Sequence, residues 1–425
     1  MTARRSFTRH SSPPTSLDGA GAYFCGPLAT SLGDGRRCLH ASGGARQEAR
    51  SVRLDREGRS LAAAALALAI CGATLTGCGS DDNRRGASTA AISGLAGSEG
   101  CAGKSGLTAE GSTAQQNAMS LFNQVWGQTC PGKAVAYNPT GSGAGREQFI
   151  AGHVDFAGSD SPLVADQIGP AAKRCDGNPA WDLPLVFGPV ALVYNLPGVP
   201  RLVLSSDALA KLLSGRITAW NDPILAALNP GVALPDTKIV PIYRADSSGT
   251  TDNVQKYLTA AAPQSWTRGV GTEFQGGVGE GATKSAGVIQ AVRVTAGAIG
   301  YVEKGFADQA GVPYALIDTG NGVVPLTNDT AAKAIQAASF VADGNDLVLD
   351  LDPMYTTARA DAYPLVLASY EIVCSNGYDA DTSAAIKSFL SAAATKGQAG
   401  LTSAGYVPLP DKVKERLVTA ISAIR

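Results

Sequence analysis

Four short stretches of this sequence gather small hydroxyl residues and glycine where the chain turns. They are Gly111-Ser112-Thr113-Ala114, Thr140-Gly141-Ser142-Gly143-Ala144-Gly145, Gly158-Ser159-Asp160-Ser161, and the run from Arg244 through Asp246, Ser247, Ser248 and Gly249 to Thr250. The chemistry such turns offer is anion binding. Helix N-termini carry N–H groups without intrahelical partners and a partial positive charge, so a negative group is stabilised there. Glycine lets the backbone come close, and serine or threonine adds a neutral donor. Taken singly, each turn reads as an ordinary cap, since Ser, Thr and Asp are the preferred N-cap residues. Four of them with one arginine, Arg244, favour a shared anion.

Enzyme chemistries fare worse. The run "GVGEGATKS" (277–285) has Thr283 where a phosphate loop needs glycine before Lys284. "GSGAG" lacks the spacing of a nucleophile elbow, and "GSGAGR" is not the dinucleotide fingerprint. Beyond residue 78 His153 is the sole histidine and reads as a surface turn residue, so a serine triad has one poor base and zinc has few ligands. A secreted phosphohydrolase would need a nucleophile with its base or a two-metal cluster, and neither is legible. The expectation is a non-enzyme with no cofactor and no metal.

The bulk numbers agree with a globular binding protein. The chain has 425 residues, a formal charge of −1 and 44% hydrophobic residues, enough for two or three domains. There is no basic excess and aromatics are 6%, so nucleic acid is not an expected partner.

The first part of the chain is an export segment. Residues 1–50 are rich in Arg, Ser and Gly; "RLDREGRS" (53–60) then precedes the apolar run "LAAAALALAICGATLTG" (61–77). That run ends in small residues with no cationic stop, as in a signal peptide rather than a spanning helix. Leu75-Thr76-Gly77-Cys78 resembles the bacterial lipobox, which makes Cys78 the lipid-modified (palmitate-bearing) first residue of the mature chain. Translation starting near Val52 would place the signal at its usual position. Residues 79–100 read as a flexible tether. Stable attachment to the outer face of the cell membrane then takes several acyl chains.

Four further cysteines, Cys101, Cys130, Cys175 and Cys374, lie in an exported chain, so two disulfides are expected. Three pairings are open; the favoured one joins Cys101 to Cys130 locally and Cys175 to Cys374 across the chain.

From Leu107 onward short apolar runs alternate with helical stretches, the pattern of an α/β protein. Helices are expected over 114–128, from Arg146 after the glycine-rich turn, over 205–215, 252–260 and 382–395, and in the first part of 284–303. Strands are expected at the start of 133–152 and of 154–163, at the end of 284–303, and over 182–195, 238–243 and 363–375. The two long apolar strands, 182–195 and 363–375, are either core strands of one sheet or the two crossovers of a hinged two-domain binding protein.

Three segments carry a family resemblance: "YNPTGSGAGREQFIAGHVDFAGSDSPL", "RITAWNDPILAALNPGVALPDTKIVPIYRADSSGTT" and "GAIGYVE". They resemble the bacterial phosphate-binding protein of the high-affinity phosphate import system, over about Leu107 to Arg425. The resemblance implies a type II periplasmic-binding-protein fold with two hinge crossovers and the ligand in the interdomain cleft. It implies 1–77 as upstream extension and signal, 78–104 as lipidated start and tether, 105–189 with 368–425 as one domain, and 190–367 as the other. It further implies a monomer that binds inorganic phosphate and hands it to the permease subunits and ATPase of an importer.

On these residues the resemblance places Arg244 as the cationic ligand, forking onto phosphate oxygens. Ser248, Gly249 and Thr250 would donate from a helix start, Ser142 from the glycine-rich turn, and Thr113 with the N–H of Ala114 would complete the cage. Ala114 stands where the family usually has an aromatic. Asp246 would orient Arg244. Asp160 is the discriminating residue: a carboxylate repels an anion unless that anion carries a proton, so Asp160 accepts from P–OH. Sulfate and molybdate, the alternative oxyanions, offer no such proton at neutral pH. A phosphate-sensing lipoprotein without transport would use the same residues.

Overall fold

Two strands too apolar to face water set the centre of the molecule. The computed structural model describes residues 99–425; the signal segment, the lipobox with Cys78 and nearly all of the tether lie outside the described residues. The strands in chain order are β1 (Gly106–Gly111), β2 (Ala134–Pro139), β3 (Phe156–Ser159), β4 (Ala180–Tyr194), β5 (Val203–Ser205), β6 (Val240–Arg244) and β7 (Glu280–Ala282). They continue with β8 (Ala298–Glu303), β9 (Leu316–Asp318), β10 (Val323–Val324), β11 (Ser339–Phe340), β12 (Leu349–Asp350) and β13 (Val366–Cys374). β13 is buried at every position and β4 from Asp182 onward. Strands buried on both faces read as continuous apolar runs, which is why these two were legible in sequence.

Eight strands form one sheet in the order β2-β1-β3-β13-β4-β8-β6-β7, with β13 and β4 antiparallel in its middle. β4 pairs with β13 as far as Pro189 and with β8 from Val190 to Tyr194, so it belongs to both halves of the sheet. The outer strands run parallel: β1 with β2 and β3, β6 with β7 and β8. Parallel neighbours put their carboxyl ends on one edge, and ligands of open α/β sheets bind outside that edge. Gly111, Ser159, Arg244, Ala282 and Glu303 are the last residues of their strands. The fold is α/β, as expected.

A register shift in the β4–β13 ladder falls between Ser369 and Tyr370, where Val186 and Pro184 face them and Leu185 is the extra residue. A bulge re-aims a side chain, and a proline that cannot donate to the ladder is tolerated there. Ser369 is the β13 residue on one side of this shift.

Both favoured disulfides form, Cys101–Cys130 and Cys175–Cys374, across sequence separations of 29 and 199. One helix start differs from expectation. The glycine-rich turn does not precede a helix from Arg146; the helix begins at Ser142 and contains Gly143 and Gly145. Close approach explains it: a Cβ on Gly145 would meet Gly111 Cα at 2.5 Å and Glu110 O at 2.6 Å. Among the described residues no helix is long and apolar enough to cross a membrane.

Candidate functional site

The four turns converge, and each is held by a specific bond. Gly111 ends β1 at φ 144°, a conformation that favours glycine, and the Ser112 N–H donates to Gly158 O at 2.8 Å. Two tyrosines pin the carbonyls that follow: Tyr137 donates to Ser112 O at 2.6 Å and Tyr406 to Ala114 O at 2.7 Å. Gly141 (φ 117°) turns the chain into the helix from Ser142, and the Gly143 N–H donates to Ser247 O at 3.1 Å. Ser248 is the N-cap of the helix Gly249–Ala261, its Oγ accepting from the Thr251 N–H at 3.2 Å.

Asp160 is the hub. Its Oδ1 accepts from Ser112 Oγ and Ser369 Oγ, both at 2.6 Å, and Oδ2 accepts from Ser142 Oγ at 3.2 Å. The Asn253 side chain donates to Asp160 O at 2.7 Å. Burial raises the Asp160 carboxyl to about 6; the Ser112 and Ser369 hydroxyls and Arg244 oppose that rise, and Glu303 adds to it.

Arg244 is buried, 2% exposed, and near enough for its charge to act on Asp160. Its Nε donates to Asp246 Oδ1 at 2.8 Å, its Nη2 to Asp246 Oδ2, and its Nη1 to Ser285 Oγ at 3.4 Å. Burial works against the guanidinium charge, but the hydrogen bonds and charge of Asp246, with Glu303 and Asp160, hold it above its ordinary range. Burial likewise works against the Asp246 charge, and Arg244 outweighs it, so that carboxyl sits below the usual range.

The anticipated ligands are therefore together: Thr113, Ala114, Ser142, Asp160, Arg244, Ser248, Gly249 and Thr250 are all buried. Several of their donors already serve protein acceptors. The Ala114 N–H donates to Ser112 Oγ at 3.0 Å, Thr113 Oγ1 lies 2.9 Å from Ser285 Oγ, and Thr250 Oγ1 donates to Glu303 Oε1 at 2.7 Å. An anion would take over hydroxyl protons now held by Asp160 and Glu303.

Five contributors escaped the sequence reading. Ser112 lies in the first of the four turns, directly before Thr113 and Ala114. Ser285, which donates to Glu303 Oε2 at 2.9 Å, closes the run rejected as a phosphate loop. Glu303 closes "GAIGYVE" and is fully buried. Ser369 is a lone hydroxyl in an apolar strand, which is itself a signal, since a buried polar group needs a partner. Arg146 is a second buried arginine beside the site, 4% exposed, donating to Ser159 Oγ at 3.0 Å. Burial lowers its pKa against the pull of Asp252, Asp182 and Asp160. His153 is exposed, and among the described residues no group of three or more His, Cys, Asp or Glu is placed to hold a metal.

With a buried guanidinium, a hydroxyl cage and a buried carboxylate in one place, comparison with known proteins becomes specific. Residues 85–394 match the family model of the PBP superfamily domain. Phosphate-binding protein PstS 3 of Mycobacterium tuberculosis is 46% identical over 365 residues, 85% of this chain and 98% of the relative. Phosphate-binding protein PstS of Pasteurella multocida is 31% identical over 67% of this chain and 81% of the relative. A high affinity periplasmic phosphate-binding protein solved with bound phosphate superposes with a TM-score of 0.61 at 24% identity, over 74% of this chain and 93% of that one. A phosphate-binding protein from Stenotrophomonas maltophilia superposes at 0.57 and 17% identity, over 74% and 94%. At those identities the two structures speak for the fold alone. Fold, family model and extended sequence identity agree: the chain belongs to the PBP superfamily and, within it, to the family of bacterial phosphate-binding proteins.

Proposed function

We propose that the protein binds inorganic phosphate and delivers it to an ATP-driven phosphate importer. The observation that carries this reading is Asp160: a fully buried carboxylate ringed by hydroxyls, opposite a buried arginine. A buried acceptor in an anion cage suits a ligand that brings its own proton, HPO4²⁻ or H2PO4⁻. A site built to pair with a substrate hydroxyl rejects the analogue lacking it by roughly 10⁴–10⁵ in well-studied cases. The relatives named as phosphate-binding proteins support the same ligand. Arg244, with Asp246 behind it, supplies the charge; Thr113, Ser142, Ser248, Thr250 and the Ala114 and Gly249 N–H groups supply neutral donors.

In this reading 105–189 with 368–425 form one lobe and 190–367 the other, and the lobes close by hinge motion at the crossovers. The change of partner along β4 at Pro189/Val190 supports that division. Cys78 anchors the exported chain, a monomer, to the outer membrane face through lipid, and the permease and ATPase subunits take the phosphate from it.

The test is calorimetric titration of residues 101–425, stripped of bound anion, with phosphate and then sulfate. Tight phosphate binding without sulfate heat is expected; no heat with phosphate would reduce the cage to a set of helix caps.

A further inference from the structure

Beside the cage lies a further buried carboxyl that phosphate binding does not use. Glu371 sits on β13 two residues from Ser369, is fully buried, and neither of its carboxyl oxygens has a hydrogen-bond partner. Its cross-strand partner on β3 is Gly158. The missing side chain there leaves room for the Gln115 amide, which occupies the position a Cβ on Gly158 would take. Gln115 is the polar side chain beside Glu371, it too is fully buried, and its Oε1 is likewise without a partner.

The neighbouring bonds fix which way the protons point. Ser112 O can only accept, so Tyr137 spends its single hydroxyl proton there, at 2.6 Å. Tyr137 Oη therefore accepts from Gln115 Nε2, at 3.3 Å, and Gln115 Oε1 is left without a donor. One proton satisfies both orphans. Burying an ionised carboxylate without donors is costly, whereas a carboxylic acid brings an O–H.

We propose that Glu371 is carried as a neutral carboxylic acid whose O–H donates to Gln115 Oε1, completing a one-way chain through Tyr137 to the Ser112 carbonyl, and that phosphate binding depends on this proton staying in place. The inference rests on the phosphate-binding reading above. Glu371 is a positioning residue: the chain ends on the turn bearing Thr113 and Ala114, and neutrality keeps a further negative charge away from the anion site. The titratable groups facing it are Asp160 from the turn after β3 and Tyr137 from β2, with Tyr406 beyond. Burial holds its proton affinity well above the usual carboxylate range; the Gln115 amide opposes that rise and the Asp160 charge adds to it. The sign follows: as pH rises through the ionisation of Glu371 the site gains negative charge, so phosphate affinity falls.

Two measurements test this. The infrared difference between wild type and Glu371→Gln at neutral pH should contain the carbonyl stretch of a protonated carboxylic acid; carboxylate bands alone would overturn the proposal. Phosphate affinity measured from pH 7 to 10 should fall at least fivefold in wild type, while Glu371→Gln, which keeps an N–H toward Gln115 but cannot ionise, holds its own pH 7 value. Parallel profiles would overturn it. Should that variant not fold, Gln115→Met removes the acceptor of the neutral acid, and the alkaline limb should move to lower pH; an unmoved limb counts against the proposal. A wild type that binds no phosphate at pH 7 defeats the functional reading, whereas the infrared band still decides the state of Glu371.

Discussion

Gly249 and Asp160 touch across the junction of the two halves of the sheet: a Cβ built on Gly249 would lie 2.6 Å from the Asp160 Cβ and 2.6 Å from Ser142 Oγ. The N-terminus of the helix Gly249–Ala261 can reach the carboxylate hub only because residue 249 has no side chain. Gly249→Ala should improve local helix propensity yet hold the two surfaces apart. Phosphate affinity is expected to fall at least tenfold with little change in thermal stability of the ligand-free protein; unaltered titration heats would show that this contact is dispensable.

Asp160→Asn tests how the ligand's proton is read. The amide oxygen still accepts, but without charge, and its NH2 now faces the anion. Losing a hydrogen bond to a charged group costs about 1.5–3 kcal/mol, roughly a 10- to 150-fold loss of phosphate affinity. Sulfate heat should appear in the variant and be absent in wild type. Retained discrimination would move specificity to another residue.

The same residue makes a stability prediction. Burial raises the Asp160 carboxyl from 3.8 to about 6 in the folded chain. A raised pKa means that the folded state holds the proton more tightly, so its contribution is full below about pH 4 and is lost as pH climbs through 6. At pH 7 the ionised carboxyl costs the ligand-free fold on the order of 3 kcal/mol relative to a neutral group. Asp160→Asn should thus melt higher than wild type at pH 7 without phosphate, with the gap closing near pH 4. An equal gap at both pH values would locate the cost elsewhere.

Arg244→Lys keeps the charge and loses the fork. Lysine offers a point charge that cannot hold Asp246 through two nitrogens and Ser285 through a third. Breaking one side of a desolvated charge pair costs about 2–5 kcal/mol in comparable interfaces, so affinity should drop at least ~30-fold. Near-normal binding by the lysine variant would demote the fork geometry.

The disulfides should differ in weight. By chain entropy the 199-residue loop closed by Cys175–Cys374 is worth roughly 5 kcal/mol and the 29-residue loop of Cys101–Cys130 roughly 3.5. Paired serine substitutions followed by denaturant melts should rank them in that order; the reverse ranking would mean that native-state geometry outweighs loop length.

Local chemistry was legible from residue order. The helix expected over 205–215 runs Ser206–Leu213, the strand expected at 182–195 runs Ala180–Tyr194, and the strand expected at 363–375 runs Val366–Cys374. Apolar periodicity and caps act within a few residues, so they can be read without a fold. The turns bearing Ser142, Asp160, Arg244 and Ser248 were legible for the same reason, since a hydroxyl or guanidinium beside a helix start is a local pattern.

What joins those turns was not legible. Asp160 receives Ser369 from 209 residues away, and Thr113 meets Ser285 across 172. Those meetings depend on strand order, which leaves no periodic trace. Glu303 and Ser285 are ordinary letters at a strand end and a helix start until the fold brings them to Thr250 and Arg244. By itself the sequence determined which groups could bind an anion. The tertiary structure decided which carboxylates hold those groups in place, because burial and long-range pairing set desolvation and charge only once the chain has closed on itself.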